Sequence, residues 1–189
     1  MIMRLFLAIN LPFAMRRALV EATGPMRALA PDVRWISEAK LHLTMKFLGE
    51  QHESRLDEIH AAVASMAARH AATDLTVCGL GAFPNSRRPR VLWIGVERSS
   101  RLELLAHDLE QACETLGFEA EGRAFRPHIT LGRIRDRLGV EQARALARAG
   151  RRIGFEDTVP VASIDLMCSV PGGRSYDLMS SASLSRQEL

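Results

Sequence analysis

The sequence predicts a pseudo-duplicated fold in which two β-α-β-α-β halves follow one another along the chain. Three observations predict it. A short apolar strand opens each half, RLFLAIN at Arg4–Asn10 and VLWIGVE at Val91–Glu97. Each half also carries a His-x-Thr triplet inside an alternating strand pattern, at His42 and at His128. The spacing of equivalents is nearly constant, 87 residues from Leu5 to Leu92 and 86 from His42 to His128. Self-similarity at a fixed period marks an internal repeat.

The elements follow in order. After the first strand, a helical period runs from about Ala14 to Leu29 and is weakened by Gly24-Pro25. LHLTMKFL (Leu41–Leu48) alternates as a strand and precedes a helix near Arg55–Arg69, for which Ser54 and Asp57 read as a capping box. DLTVCGLGAF (Asp74–Phe83) closes the first half, and the arginine-rich SRRPR (Ser86–Arg90) is expected to cross to the second. There a helix is expected over Arg101–Leu116, capped by Ser100 and Glu103 and ended by Gly117. PHITLGRI (Pro127–Ile134) is the matching strand, followed by a helix near Val140–Ala149 that Gly150 should stop. VASIDLMCS (Val161–Ser169) and SYDLMSSASL (Ser175–Leu184) are the last strands, joined by a Pro171-Gly172-Gly173 turn. We read residues 1–189 as a single bilobal domain, with lobes of roughly 1–90 and 91–189 and room for strand exchange between them.

Composition narrows the function classes. Hydrophobic residues are 47% and charged residues 25% of the 189, as in ordinary globular domains. The net charge is +3. Lysine occurs only at Lys40 and Lys46, so the basic side is nearly all arginine, whose planar fork suits phosphate. Cys78, Cys113 and Cys168 form no CxxC pair and read as reduced thiols of a cytoplasmic protein. No apolar run reaches membrane length, and without coiled-coil heptads the chain is expected to be a monomer.

The two His-x-Thr triplets carry the chemistry. In a strand, residues two apart share a face, so His42 with Thr44 and His128 with Thr130 each present an imidazole and a hydroxyl together. Leu41, Leu43, Met45 and Phe47 should face the core, as should Ile129 and Leu131. With six His and seven Thr in the chain, random placement gives about 0.2 such triplets. Two of them on equivalent elements point to function rather than to half-buried structural histidines. Cleaving a phosphodiester needs a base for the nucleophile and an acid for the leaving oxygen, and imidazole supplies either near neutrality. Threonine hydroxyls can donate to phosphate oxygens as charge builds. Arg126 and Arg133, which flank the second motif, and Arg174, in the last loop, can neutralise that charge. His52, His60, His70 and His107 have no such partner pattern and read as structural or surface residues. HExxH, His-x-His, GxxxxGK[ST], GxGxxG and GxSxG are all absent, so neither a metal nor a cofactor is expected.

The chain resembles the 2H phosphoesterase superfamily, and within it the RNA 2′,3′-cyclic phosphodiesterases also described as 2′-5′ RNA ligases. RLFLAINLP, VRWISEAKLHLTMKFLGE, LGAFPNSRRPRVLWIGV and GFEAEGRAFRPHITLGRI carry the resemblance along most of the chain. It implies a bilobal α+β fold with helices outside and two antiparallel sheets facing across a central cleft. His42, Thr44, His128 and Thr130 would then be the catalytic residues of a hydrolase acting on RNA with 2′,3′-cyclic phosphate ends, tRNA fragments among the candidates, with 2′-5′ ligation as the reverse sense. Cleavage should leave a 2′-phosphate. The segment CSVPGGRSYD (Cys168–Asp177) is shorter than the Ser- and Gly-rich loop usual in the family; within it Ser169, Arg174 and Tyr176 are the candidate ligand contacts. We expect His42 to be the acid and His128 the base, with Arg126 and Arg133 holding His128 neutral. Two other readings stay open: a phosphodiesterase for small cyclic-phosphate nucleotides, and an RNA-binding module without turnover.

Overall fold

Leu5 to Ile9 are buried on both faces of the first strand, which is why this run is continuously apolar rather than alternating. The computed structural model describes residues 1–136, 138–170, 172 and 175–185. The strands are β1 (Ile2–Asn10), β2 (Arg34–Trp35), β3 (His42–His52), β4 (Thr73–Phe83), β5 (Val91–Val96), β6 (His128–Arg133), β7 (Glu156–Val161), β8 (Ser163–Ser169) and β9 (Tyr176–Ser183). The helices are α1 (Phe13–Ala22), α2 (Gly24–Leu29), α3 (Leu56–Ala67), α4 (Ser100–Thr115) and α5 (Val140–Arg152).

The fold is α+β, with an antiparallel sheet in the order β7-β4-β5-β6-β3-β1-β8-β9 and β2 added to β6. The two expected sheets are therefore the halves of one curled sheet, joined through β3 and β6 by the pair Leu43–Ile129. The halves of the sheet exchange strands across residue 90. One takes β1 and β3 with β8 and β9; the other takes β5 and β6 with β4 and β7. Helices α3 and α4 pack together against the first, and α2 packs on α5 behind the second. SRRPR is correspondingly a hairpin loop, with Arg90 N–H bonded to Phe83 O and Phe83 opposite Val91, not a crossover between lobes.

Local chemistry moves several boundaries. Thr23 separates α1 from α2, its hydroxyl donating to Leu19 O at 2.7 Å. The cap of α4 is Ser99, whose hydroxyl accepts from Leu102 N–H, one residue before the expected Ser100; Gly117 at φ +82 ends the helix as expected. Ser54 does not cap α3. A 3-10 turn at Glu53–Arg55 precedes that helix, and the His52 ring caps the turn by accepting from Ser54 N–H. Helix α5 runs through Gly150 to Arg152. A side chain at Gly150 would meet Leu80 and Met26 at ordinary contact distance, 3.8 Å, so the glycine neither ends the helix nor is demanded by packing. The expected Pro171-Gly172-Gly173 turn falls largely outside the described residues.

Each strand that carries a His-x-Thr triplet has a bulge just beyond its threonine. Pairing with β1 skips Met45, and pairing of β6 with β5 skips Leu131. These positions lie 86 residues apart, the period of the histidines. A bulge exchanges the faces of every later residue. Met45 and Lys46 are consequently both buried, while Phe47, expected in the core, is 58% exposed. Lys46 reaches Glu110 at 2.6 Å and the carbonyl of Glu119 at 2.9 Å, so the buried ammonium is paired, as burial requires. Cys78, Cys113 and Cys168 are free thiols; burial pushes Cys113 up to about 11. Among the described residues no helix is long and apolar enough to cross a membrane.

Candidate active site

The two motifs lie side by side on the adjacent antiparallel strands β3 and β6. Leu43 opposite Ile129 sets His42 beside Thr130 and Thr44 beside His128. The histidines are then diagonal neighbours, whose Cα atoms such pairing holds about 7–8 Å apart. Leu43 and Ile129 themselves are 0% exposed on the helix-covered face. The four polar side chains are half-buried on the other.

The two imidazoles are held in the same way. His42 Nδ1 donates to Lys40 O at 2.7 Å, and His128 Nδ1 donates to Arg126 O at 2.7 Å. A carbonyl only accepts, so each Nδ1 carries the proton and each Nε2 is left for chemistry. Thr44 Oγ1 stands 3.0 Å from His42 Nε2. Aromatic rings fix both planes. His42 lies against Phe6 and edge-on to Tyr176, with centroids 5.0 and 5.3 Å away. His128 meets Phe83 edge-on at 5.0 Å and Trp93 at 6.1 Å. Burial holds His42 below its ordinary value; the bond to Lys40 O opposes this, and the charge of Arg133 adds to it.

The other expected residues divide. Tyr176 is at the site, and Ser169 is its partner across β8 and β9. Arg126 offers its carbonyl to His128, while its side chain is exposed. Arg133 adds its charge at His42: the Leu131 bulge turns it to the histidine face, and antiparallel pairing brings that end of β6 toward His42. Arg174 lies outside the described residues.

Residues not anticipated are Phe6, Phe83 and Trp93, which pack on the imidazoles, and Lys40, whose ammonium is 5.4 Å from the Tyr176 ring centroid. Asn10, opposite His42, donates to Asp165 at 2.7 Å, and Ser181 donates to the same carboxylate at 2.6 Å. Only alternation could have found Phe6 and Asn10, by placing them on one face of β1. Among the described residues no three His, Cys, Asp or Glu side chains converge as metal ligands.

The sequence profile of the 2′-5′ RNA ligase superfamily matches residues 16–167. The chain belongs to the 2′-5′ RNA ligase superfamily. An RNA 2′,3′-cyclic phosphodiesterase of Geobacillus stearothermophilus is 34% identical over 128 residues, 68% of this chain and 41% of that protein; the matched part is thus under half of that relative's length. A crystal structure from Thermus thermophilus superposes with a TM-score of 0.80 at 30% identity, over 98% of this chain and all (100%) of the other. Escherichia coli LigT complexed with 3′-AMP superposes with a TM-score of 0.70 at 28% identity, covering 97% of this chain and 99% of that one. The 2′-5′ RNA ligase superfamily fold therefore extends over nearly the whole of this chain.

Proposed function

We propose that this chain is an RNA 2′,3′-cyclic phosphodiesterase that opens cyclic phosphate ends to 2′-phosphates by acid–base catalysis with His42 and His128. The observation that carries the reading is the matched pair of imidazoles, each fixed through Nδ1 on a backbone carbonyl and each presenting Nε2. The superfamily membership and the name carried by the Geobacillus relative support it.

A cyclic phosphate bound between the rings meets a donor and an acceptor from opposite halves of the sheet. One imidazole takes a proton from water as its oxygen bonds to phosphorus. The other gives a proton to the departing 3′ oxygen, and the phosphate stays on the 2′ oxygen. Thr44 and Thr130 donate to the non-bridging oxygens. If the 5′-hydroxyl of a second RNA replaces water, the same proton transfers form a 2′-5′ linkage. Lys40 and Arg133 supply positive charge. Ser169 and Tyr176 sit where the nucleoside would lie. The chain needs neither metal nor cofactor and acts as a single domain.

In the free chain burial holds His42 toward neutrality, and a bound phosphate anion would pull it the other way. The test of function is a dinucleotide ending in a 2′,3′-cyclic phosphate, with the product resolved as 2′- or 3′-phosphate. A 2′-phosphate is expected. A 3′-phosphate, or no turnover by the wild-type chain, overturns the reading.

A further inference from the structure

A second charged feature lies beyond the catalytic face. The loop between β4 and β5 and the exposed side of α5 enclose a cleft of about 750 Å³. Its walls carry Arg87, Arg88 and Arg90 from the loop and Arg144, Arg148 and Arg151 from the helix, and among the described residues no carboxylate lines it. All six side chains are exposed.

Two of the six are engaged. Arg90 donates to Arg135 O at 2.8 Å, and Arg144 pairs with Glu141 at 2.9 Å. Arg87, Arg88, Arg148 and Arg151 form no ion pair among the described residues. Like charges are brought together here by construction. Positions 144, 148 and 151 recur at helical spacing on one side of α5, spanning about 10 Å at 1.5 Å per residue. On the loop, Asn85 Oδ1 accepts from the backbone N–H groups of Arg87 and Arg88 at 3.0 and 3.1 Å, which holds the two arginines at fixed places. Such a concentration of guanidinium groups repels itself without an anion and suits a chain of phosphates with one.

The cleft also has a direction. Its loop begins right after Phe83, the ring against His128, and ends at Val91, which pairs with Arg133. Arg133 is three residues along β6 from Thr130, about 10 Å at strand rise. Arg133, paired with the residue that ends the cleft's loop, thus stands between the cleft and the reacting phosphate.

We infer that the cleft between the β4–β5 loop and α5 is a backbone-binding subsite for single-stranded RNA, holding phosphates upstream of the terminal cyclic phosphate. This rests on the proposed function and deepens it: the substrate is an oligonucleotide rather than a mononucleotide. Leu138 and Val140 in the cleft wall offer apolar surface to a base, while the arginines around them offer charge to the backbone.

The experiment compares the wild-type chain with an Arg87→Gln/Arg88→Gln/Arg148→Gln/Arg151→Gln variant in two assays. The first is binding of a 2′-phosphate-ended 12-nucleotide RNA, followed by fluorescence anisotropy across a salt series. The second is turnover of a dinucleotide with a 2′,3′-cyclic phosphate. The variant should bind the 12-mer at least about tenfold more weakly, with a salt slope smaller by up to about 0.7 per arginine removed. Its dinucleotide turnover should stay within twofold. Unchanged 12-mer binding, or no binding by the wild-type chain, overturns the subsite. So does an equal loss in both assays, because the arginines would then serve the reacting phosphate. Displacement of the 12-mer by sub-millimolar inorganic tripolyphosphate overturns the RNA assignment in favour of a small-anion site. If neither protein turns over the dinucleotide but the variant loses the 12-mer, the proposed reaction fails and the subsite stands.

Discussion

Leu43 and Ile129 face each other across β3 and β6, both 0% exposed, and this pair joins the two halves of the sheet. Each stands between the histidine and the threonine of its own motif, so the contact that closes the sheet also sets the spacing of the imidazoles. Leu43→Ala or Ile129→Ala should cost about 2–5 kcal/mol, the usual range for a fully buried aliphatic side chain. Each should also lower kcat, because displacements near 1 Å are expensive in a positioned site. Leu105→Ala, in α4 and equally buried, is the control: a similar loss in urea unfolding with kcat retained. Equal kcat values in all three variants would remove the pair from the positioning of the site.

His42→Ala and His128→Ala should each reduce turnover by at least about 10²-fold, as expected for a lost general acid or base. Thr44→Val and Thr130→Val should cost about 10–10³-fold, as losses of single transition-state donors. These side chains lie half-buried on the open face, so circular dichroism and urea midpoints should change little. A near-wild-type rate in either histidine variant is incompatible with the pair.

The site was legible where it depended on local alternation. Strand period put His42 and Thr44 on one side and Leu43 on the other without knowledge of the partner strand. It failed at Phe47 because a bulge at Met45 leaves no mark in the sequence pattern, and for the same reason the effect of Arg133 on His42 was not foreseen. Strand β7 was missed because its burial does not alternate cleanly and it holds Pro160; it is an edge strand pairing only with β4, where proline is tolerated. The exchange of strands between halves was allowed for, but which strands exchange could not be read, for another reason. It is decided by non-local pairings such as Ala8 with Asp165, and no local propensity encodes those. The error at Ser100 is a single-residue slip to Ser99, whereas at Ser54 a 3-10 turn capped by His52 replaces the expected helix cap.

Stability should report His42 directly. Burial, aided by Arg133 and opposed by the Lys40 carbonyl, lowers its folded-state value below the ordinary 6.5. The unfolded chain therefore takes up a proton first as pH falls. The folded state has no penalty from this group well above 6.5, loses stability as pH drops from there toward the folded value, and loses no more below it. Urea midpoints between about pH 8 and 5 should fall more steeply for the wild-type chain than for His42→Asn. Parallel curves would mean that His42 titrates alike in both states.

Activity should survive chelation. Both proton transfers are assigned to imidazoles, and no side-chain cluster suited to a metal occurs among the described residues. Turnover of the cyclic dinucleotide should be unchanged after prolonged EDTA treatment. Loss of activity restored by Zn²⁺ or Mn²⁺ would give one of the two histidines a ligand role instead.

The order of the pair is the remaining question, and a sulfur-bearing substrate answers it. The expected order has His42 protonate the 3′ oxygen and His128 activate water. Sequence neighbours alone do not support it, since the arginine effect in the free chain falls on His42. That effect weakens the hold on the proton His42 would donate, and the bound phosphate supplies the charge that restores it. With sulfur in place of the 3′ oxygen, thiolate departs without needing a proton, while attack by water still needs its base. Such a substrate should restore most of the rate of His42→Ala and leave His128→Ala crippled. Rescue of His128→Ala instead reverses the roles. Rescue of neither means that proton donation to the leaving group is not what the acid contributes, and that the lost rate lies in binding or in stabilising charge on the phosphate. With the oxygen substrate the wild-type rate should be bell-shaped in pH, and with the sulfur substrate it should lose the limb set by the acid.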